Sequence, residues 1–152
     1  MLKFVQKKLK EEKGLTLIEL LAVIVILAII AAIAIPAIGN IMENSRYTAV
    51  KSDAINVINA AQLYYTDTAS PVTPVTVEIL KNDNFLESSG EIPDASTVSA
   101  NSPHALTTPA GTPIVFSGTK SVTFTGATIQ GINDDDTKGS EVDDEDGITI
   151  DE

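Results

Sequence analysis

The chain has 152 residues, a length that suits one modest domain and a membrane anchor rather than two full domains. It contains no cysteine, which excludes a disulfide framework, a thiol nucleophile and a thiolate metal site. The formal net charge is −11, but residues 1–14 carry five lysines and two glutamates, whereas the remainder carries five basic and nineteen acidic groups. Because so acidic a remainder repels phosphate, we expect no direct binding of nucleic acid.

A lysine-rich N-terminal stretch is followed by a long apolar run. Residues 20–38 contain no charged side chain and would span about 28 Å as a helix, close to the hydrocarbon thickness of a bilayer. A buried core helix is the alternative, but a soluble domain this small could hardly cover such a helix on every side. The pattern therefore predicts a membrane-spanning helix, with the lysines in the cytoplasm and the acidic remainder outside.

The stretch KGLTLIELLAVIVILAIIAAIAIP resembles the N-terminal signature of type IV prepilins and pseudopilins. The shared features are Gly14 at the end of a short basic leader, Glu19 as the fifth residue after it, and an apolar run that reaches Pro36. The resemblance implies that a prepilin peptidase removes residues 1–14, cutting between Gly14 and Leu15, and then methylates the new amine. Leu15 departs from the family pattern, in which the mature chain most often begins with Phe.

Glu19 has two interpretations. In the first, its carboxylate snorkels to the cytoplasmic boundary, because a charge at mid-span would cost about 2.5–3.5 kcal/mol. In the second, which the resemblance implies, Glu19 pairs in the assembled filament with the amine of Leu15 in a neighbouring subunit. Such a pair would act mainly on register, since a misplaced subunit leaves a buried charge without a partner. Glu19 is thus predicted to select the axial position of each incoming subunit.

The apolar pattern predicts one helix from Leu15 to Thr66. Residues 15–38 are its membrane and polymerisation segment, and residues 39–66 are an amphipathic half that packs on an exposed domain. Polar residues of this half, Asn44 and Lys51 among them, fall largely on other faces than the apolar stripe. The stripe, with spacings of three and four, comprises Val50, Ala54, Val57, Ile58, Ala61 and Tyr65.

Two local features of this helix stand out. Pro36 lacks an amide hydrogen and crowds the preceding turn, so we expect a kink or a locally melted turn over residues 32–39. Under the resemblance, this point lets the helix adapt as it packs in a filament; the alternative is a kink without function. Tyr64 and Tyr65 are predicted to close the packing of the helix on the domain rather than to stack on a ligand.

Residues 67–152 are predicted to form the exposed globular domain. VTVEILKNDNFLE indicates a short helix ending near Asn82, and residues 88–112 indicate an ordered loop rich in Ser, Thr, Pro and Asn. TPIVFSG, KSVTFTG and ATIQGI predict strands of an antiparallel meander, to which GITIDE adds a final strand. The predicted fold class is α+β: a long N-terminal helix, transmembrane in its first half, packed on a small C-terminal antiparallel sheet.

The stretch DDDTKGSEVDDEDG concentrates carboxylates, the hard oxygen ligands that suit calcium. The weak calcium candidates are Asp134, Asp136, Asp143 and Glu145. An EF-hand starting at Asp134 would place Lys138 at a ligand position, so we reject an EF-hand. Two interpretations stay open: an irregular structural calcium loop, as in some pseudopilins that the chain resembles, and a solvated acidic loop. We expect no other cofactor.

His104 is the one histidine of the sequence, within NSPHALTTP. A catalytic base needs a nucleophile or an orienting carboxylate that the sequence does not identify, so a surface loop residue is the favoured interpretation and no enzyme is predicted.

The predicted function is that of a structural subunit of a type IV pilus or pilus-like filament. The resemblance implies as partners other copies and other pilins, a prepilin peptidase, membrane lipid, and an inner-membrane assembly platform with a cytoplasmic ATPase. The predicted location is a single-pass plasma membrane protein with a cytoplasmic N-terminus and an extracytoplasmic domain, then a cell-surface filament. The alternatives are a pseudopilin of competence or type II secretion and a monomeric single-pass surface binding protein.

Overall fold

A computed structural model describes residues 2–143 and 147–151, with side chains described from Leu17 onward. The chain divides into two compact units, Met1–Gly39 and Asn40–Glu152.

Helix α1, Leu2–Asp67, is the longest element of the structure. Its C-terminal end confirms the prediction to within one residue, but its start lies well before the predicted Leu15. The leader is rich in Lys, Glu, Gln and Leu, which are strong helix formers, so the helical backbone extends back through it. The helix also continues through Pro36, so the locally melted turn expected over residues 32–39 is wrong, whereas the kink expected there stays a prediction.

In the first unit the apolar run is uncovered. All large apolar side chains from Leu17 to Ile38 are 50% or more exposed, the least exposed being Val25. Pro36 is exposed as well.

In the second unit, the remainder of α1 buries one face. Val50, Ala54, Val57, Ile58 and Ala61 are at most 1% exposed, which confirms the predicted stripe. The stripe also includes Tyr47 and Tyr64, which are buried, and the half-buried Tyr65. Their spacing of three or four residues keeps them on one side of the helix.

Six strands form one sheet, and all except the fifth are short. They are β1 (Val75–Thr76), β2 (Thr97–Val98), β3 (Ala105–Thr107), β4 (Ile114–Ser117), β5 (Lys120–Thr128) and β6 (Ile148–Ile150). The strand order is β1-β2-β3-β5-β4, and β6 also pairs with β5. The predicted strands β4, β5 and β6 are confirmed.

The sheet is mixed, so the prediction of a purely antiparallel sheet is wrong at one pairing. Four pairings are antiparallel, but β6 runs parallel to β5, with Val122 opposite Ile148 and Phe124 opposite Ile150. A parallel partner requires a long connection. Here residues 129–147 supply that connection, and they include helix α3, Ile129–Asp134, and a 3-10 helix, Gly139–Glu141.

Two further predictions need correction. ATIQGI was expected to be a strand, but only its first two residues are, because the Thr128 side chain accepts a hydrogen bond from Gly131 N at 3.0 Å and caps helix α3. The loop expected over residues 88–112 contains β2 and β3, whose two and three residues are too few to show a periodic pattern. The short helix α2, Val77–Asn82, ends at the predicted residue.

The core of the second unit lies where the apolar face of α1 meets β-strand and α2 side chains. Tyr64 packs edge-on against Phe85, with ring centroids 5.4 Å apart. The Tyr65 hydroxyl donates to Val98 O and accepts from Val75 N, both at 2.8 Å. The predicted role of both tyrosines in packing is confirmed.

Truncation of a core leucine tests this packing. Leu80→Ala removes a side chain that is 0% exposed, and we expect it to lower the free energy of unfolding by about 2–5 kcal/mol through lost burial and a residual cavity. Leu63→Ala is the matched control, since Leu63 is 57% exposed, and should cost less than about 0.5 kcal/mol. Denaturant unfolding of the full chain in detergent, followed by tyrosine fluorescence, measures the difference, since every tyrosine lies in the second unit and tryptophan is absent. Equal losses from the two variants would contradict the assigned core.

Candidate assembly segment and acidic loop

The acidic stretch after β5 is bound to α1 through Asp135. The Lys51 ammonium lies 3.1 Å from Asp135 Oδ2 and donates to the Asp135 carbonyl oxygen at 2.6 Å. The Tyr47 hydroxyl donates to the same carboxylate oxygen at 2.5 Å, and Thr137 N donates to Oδ1 at 3.3 Å. One carboxylate therefore joins two residues that lie one turn apart on the helix.

This arrangement shifts two pKa values. Burial alone would raise the pKa of Asp135, but hydrogen bonds from Thr137, Tyr47 and Lys51 outweigh burial and hold that pKa below its ordinary value. Burial, together with the hydrogen bond to Asp135 and the charge of its carboxylate, raises the pKa of Tyr47 well above that of a free phenol. At neutral pH, Asp135 is thus the anion and Tyr47 the neutral donor.

A second set of contacts binds the same stretch one to two turns earlier on α1. Lys120 Nζ lies 2.9 Å from Glu43 Oε2 and donates to Ser140 O at 3.0 Å. Ser140 N donates to Asn44 Oδ1 at 2.8 Å. The backbone approaches the helix so closely at Gly139 that a Cβ there would lie 2.5 Å from Glu43 O, which leaves room for glycine only.

These contacts correct the sequence analysis at two residues. Lys51 and Asn44 were assigned to faces away from the packed stripe, yet both bind the acidic stretch, and the Lys51 side chain is only 17% exposed. Asp135 was not singled out. The sequence signal for this contact is a lysine four residues after a tyrosine, Tyr47 and Lys51, together with a predicted acidic loop that could supply the counter-charge.

The calcium candidates are not brought together in the part of the chain that the structure describes. Asp134, Asp136 and Asp143 are exposed, and Glu145 lies outside the described residues. Among the described residues, no group of three or more Asp, Glu or His side chains converges as a cation site. The calcium loop therefore stays a sequence prediction.

His104 has a structural contact. Its ring stacks on Tyr65 with centroids 5.5 Å apart, and its Nδ1 lies 2.9 Å from Ser99 O. The expected surface loop residue is therefore half-buried beside β3 rather than free in solvent.

The candidate assembly segment consists of Gly14 and residues 15–38 of α1. It contains the predicted processing residues Gly14 and Leu15 and the predicted pairing residue Glu19. Glu19 is exposed between the exposed apolar residues Ile18 and Leu20, and it forms no ion pair among the described residues. Gly14 and Leu15 lie in the helical backbone of α1, before the residues whose side chains are described. Position 15 precedes Glu19 by four residues, so the two lie on one face of the helix, one turn apart.

By length and composition, α1 contains one segment that can cross a membrane, and none of that segment's most apolar window is buried within the chain. Residues 9–35, which include Gly14, Leu15 and Glu19, match the family model of the prokaryotic N-terminal methylation motif. The chain carries a prepilin-type N-terminal signature. Comparison with curated proteins and with solved structures gave no match.

The prepilin-type signature supports a precursor of the type IV pilin-like or pseudopilin kind. It also supports pilin-like partners and processing by a prepilin peptidase. Together with the apolar part of α1, it fits a membrane-anchored subunit of a surface filament. The signature covers residues 9–35, all of which lie in the first unit. The second unit is characterised by its structure.

The Asp135 contacts predict a defined pH dependence. Because the pKa of Asp135 is lowered in the folded state, its contribution is present above the ordinary aspartate pKa and is lost as pH falls through the folded value. We expect Asp135→Asn to lower the free energy of unfolding by about 1.5–3 kcal/mol at pH 7, and the gap to wild type to narrow below about pH 4.

Asp94→Asn is the matched control for this measurement. Asp94 pairs with Lys81 at 3.0 Å, but their side chains are 55% and 37% exposed, so the loss should stay under about 1 kcal/mol. Urea unfolding of the full chain in detergent between pH 7 and pH 3 measures both variants. A gap between wild type and Asp135→Asn that is the same at every pH would contradict the assigned ionisation.

Proposed function

We propose that this protein is a structural subunit of a type IV pilus or a pilus-like filament. The observation that carries the proposal is a prepilin-type signature on a helix whose apolar side chains are uncovered and interrupted by one carboxylate, Glu19. A surface this apolar needs either lipid or protein around it. In the proposed life cycle lipid covers it first, and other copies cover it in the filament.

The transfer from lipid to filament has a cost that assembly must offset. Twelve of residues 20–38 are Leu, Ile or Val, each of which favours lipid by about 0.3–0.6 kcal/mol, or roughly 4–7 kcal/mol in sum. Helix packing between subunits offsets part of this cost. The rest requires external work, which we assign to a cytoplasmic ATPase that acts through an inner-membrane platform.

Glu19 supplies the selectivity of this assembly. Cleavage between Gly14 and Leu15 creates an amine, and in the filament that amine pairs with Glu19 of a neighbouring copy. An ion pair in an apolar interior adds little net stability, but loss of one partner leaves an unpaired buried charge. Subunits in the wrong register are thereby rejected.

Mass spectrometry of the mature polypeptide tests processing. We expect the membrane and filament forms to begin at Leu15 with one methyl group on its amine, and cells without prepilin peptidase to retain residues 1–14. A mature chain that begins at Met1 in cells with an active peptidase would contradict the proposal and favour a monomeric anchored protein.

Removal of one charge tests pairing. Glu19→Gln should be cleaved normally but should reduce sheared filament yield by about tenfold or more, because the amine of each neighbour loses its counter-charge. Glu87→Gln makes the same charge change at an exposed residue of the second unit and should leave the yield unchanged. Intact mass of the membrane fraction and electron microscopy of sheared material give the two readouts. Wild-type filament yield from Glu19→Gln would refute the role of Glu19 in assembly.

A further inference from the structure

The second unit has five basic residues, and among the described residues four of them form ion pairs and one does not. Among the described residues, Arg46 forms no ion pair, and its side chain is exposed. The four lysines of the unit are each bound to a carboxylate of the same chain at 2.9–3.1 Å: Lys51 to Asp135, Lys81 to Asp94, Lys120 to Glu43 and Lys138 to Glu141. Arg46 is thus the cation of this unit that, with respect to the described residues, is free to bind another molecule.

Arg46 borders a groove of about 260 Å³ between α1 and strand β4. Val115 forms part of its wall and is 54% exposed, although the flanking Ile114 and Phe116 are 4% and 6% exposed. Alternation along a strand explains this difference, since successive side chains point to opposite faces. The remaining lining residues are Ala49, Val50, Phe116 and Glu91. Glu91 adds one carboxylate to the lining but forms no ion pair with Arg46 among the described residues, so the Arg46 guanidinium beside exposed apolar surface is available to a carboxylate of an acidic chain segment with apolar neighbours.

We propose that this groove receives an acidic segment of a second copy of the chain, so that Arg46 joins the second units of adjacent subunits. The inference rests on the filament function proposed above and adds a contact outside the apolar helix. Charge complementarity identifies the occupant, because the chain carries a net charge of −11 and copies placed side by side would otherwise repel.

The C-terminal region 134–151, which comprises the acidic stretch 134–147, strand β6 and Asp151, is the segment that fits. Its exposed carboxylates Asp134, Asp136, Asp143 and Asp151 form no ion pair among the described residues. None of the described residues of this region, 134–143 and 147–151, lines the groove, so the two surfaces that meet are different ones. Contacts between two different surfaces are heterologous, and heterologous contacts that do not close produce open helical filaments.

The Arg46 contact would mainly fix orientation and permit close approach. An exposed ion pair adds little stability, but a like-charge contact at an interface is strongly unfavourable. The same contact recurs at every subunit, so a small bias at each site acts along the whole filament.

Charge reversal is the first test. Arg46→Glu should be processed like wild type but should lower filament yield by about tenfold or more, since it places like charges together. Arg46→Lys, which keeps the charge, should retain most of the yield. Lys81→Glu is the matched control, because Lys81 is also a partly exposed cation of this unit and its partner Asp94 is on the surface; its yield should match wild type. Wild-type yield from Arg46→Glu would overturn the inference.

Cross-linking is the second test and identifies the partner. Arg46→Lys supplies an amine that a carbodiimide can join directly to a carboxylate. In filaments grown from a mixture of ¹⁴N- and ¹⁵N-labelled subunits, we expect mixed-isotope peptides that link Lys at position 46 to the stretch 134–151. Links within one copy only, or no link in intact filaments, would overturn the inference and leave the filament function standing. Absence of filaments from wild-type cells would overturn both.

Discussion

The proposed function depends on one feature of the structure, an apolar helix surface that the described residues of the chain do not cover. From Leu17 to Ile38 every large apolar side chain is at least half exposed, with one carboxylate, Glu19, near the start. Such a surface is unstable in water, so its environment must be lipid or protein. The prepilin-type signature on the same residues supports a pilin-like or pseudopilin precursor, and for such a precursor we propose that lipid covers the helix first and other subunits cover it later.

In the second unit, contacts with α1 fix the position of the strongly acidic C-terminal stretch. Asp135 is held by Lys51 and Tyr47, and Ser140 is held by Lys120 and Asn44, so the stretch lies along α1. These contacts use the two half-buried lysines Lys51 and Lys120 within the chain. Among the described residues, what is left for other molecules is an acidic surface with one free cation, and we propose that this imbalance makes side-by-side packing of copies selective.

Sequence patterns predicted those parts of the fold that have local causes. The end of α1, the end of α2 at Asn82 and the three strands β4 to β6 follow from helical spacing and from runs of β-branched residues. The parallel pairing of β6, the three short strands β1, β2 and β3, and the Asp135 contacts depend on residues distant in sequence, which no local pattern records. The prepilin-type signature was recognisable from the sequence alone because it lies in consecutive residues.

Labelling of an introduced cysteine tests most directly whether lipid and then other subunits cover the helix, because the natural chain contains no cysteine. Ile29→Cys places a thiol in the middle of the apolar run, and Glu87→Cys places one on the surface of the second unit. With a membrane-impermeant maleimide, we expect Glu87→Cys to react in intact membranes and in sheared filaments, and Ile29→Cys to react in neither until denaturant is added. Equal labelling of the two variants in detergent-free filaments would show that subunits do not bury the helix.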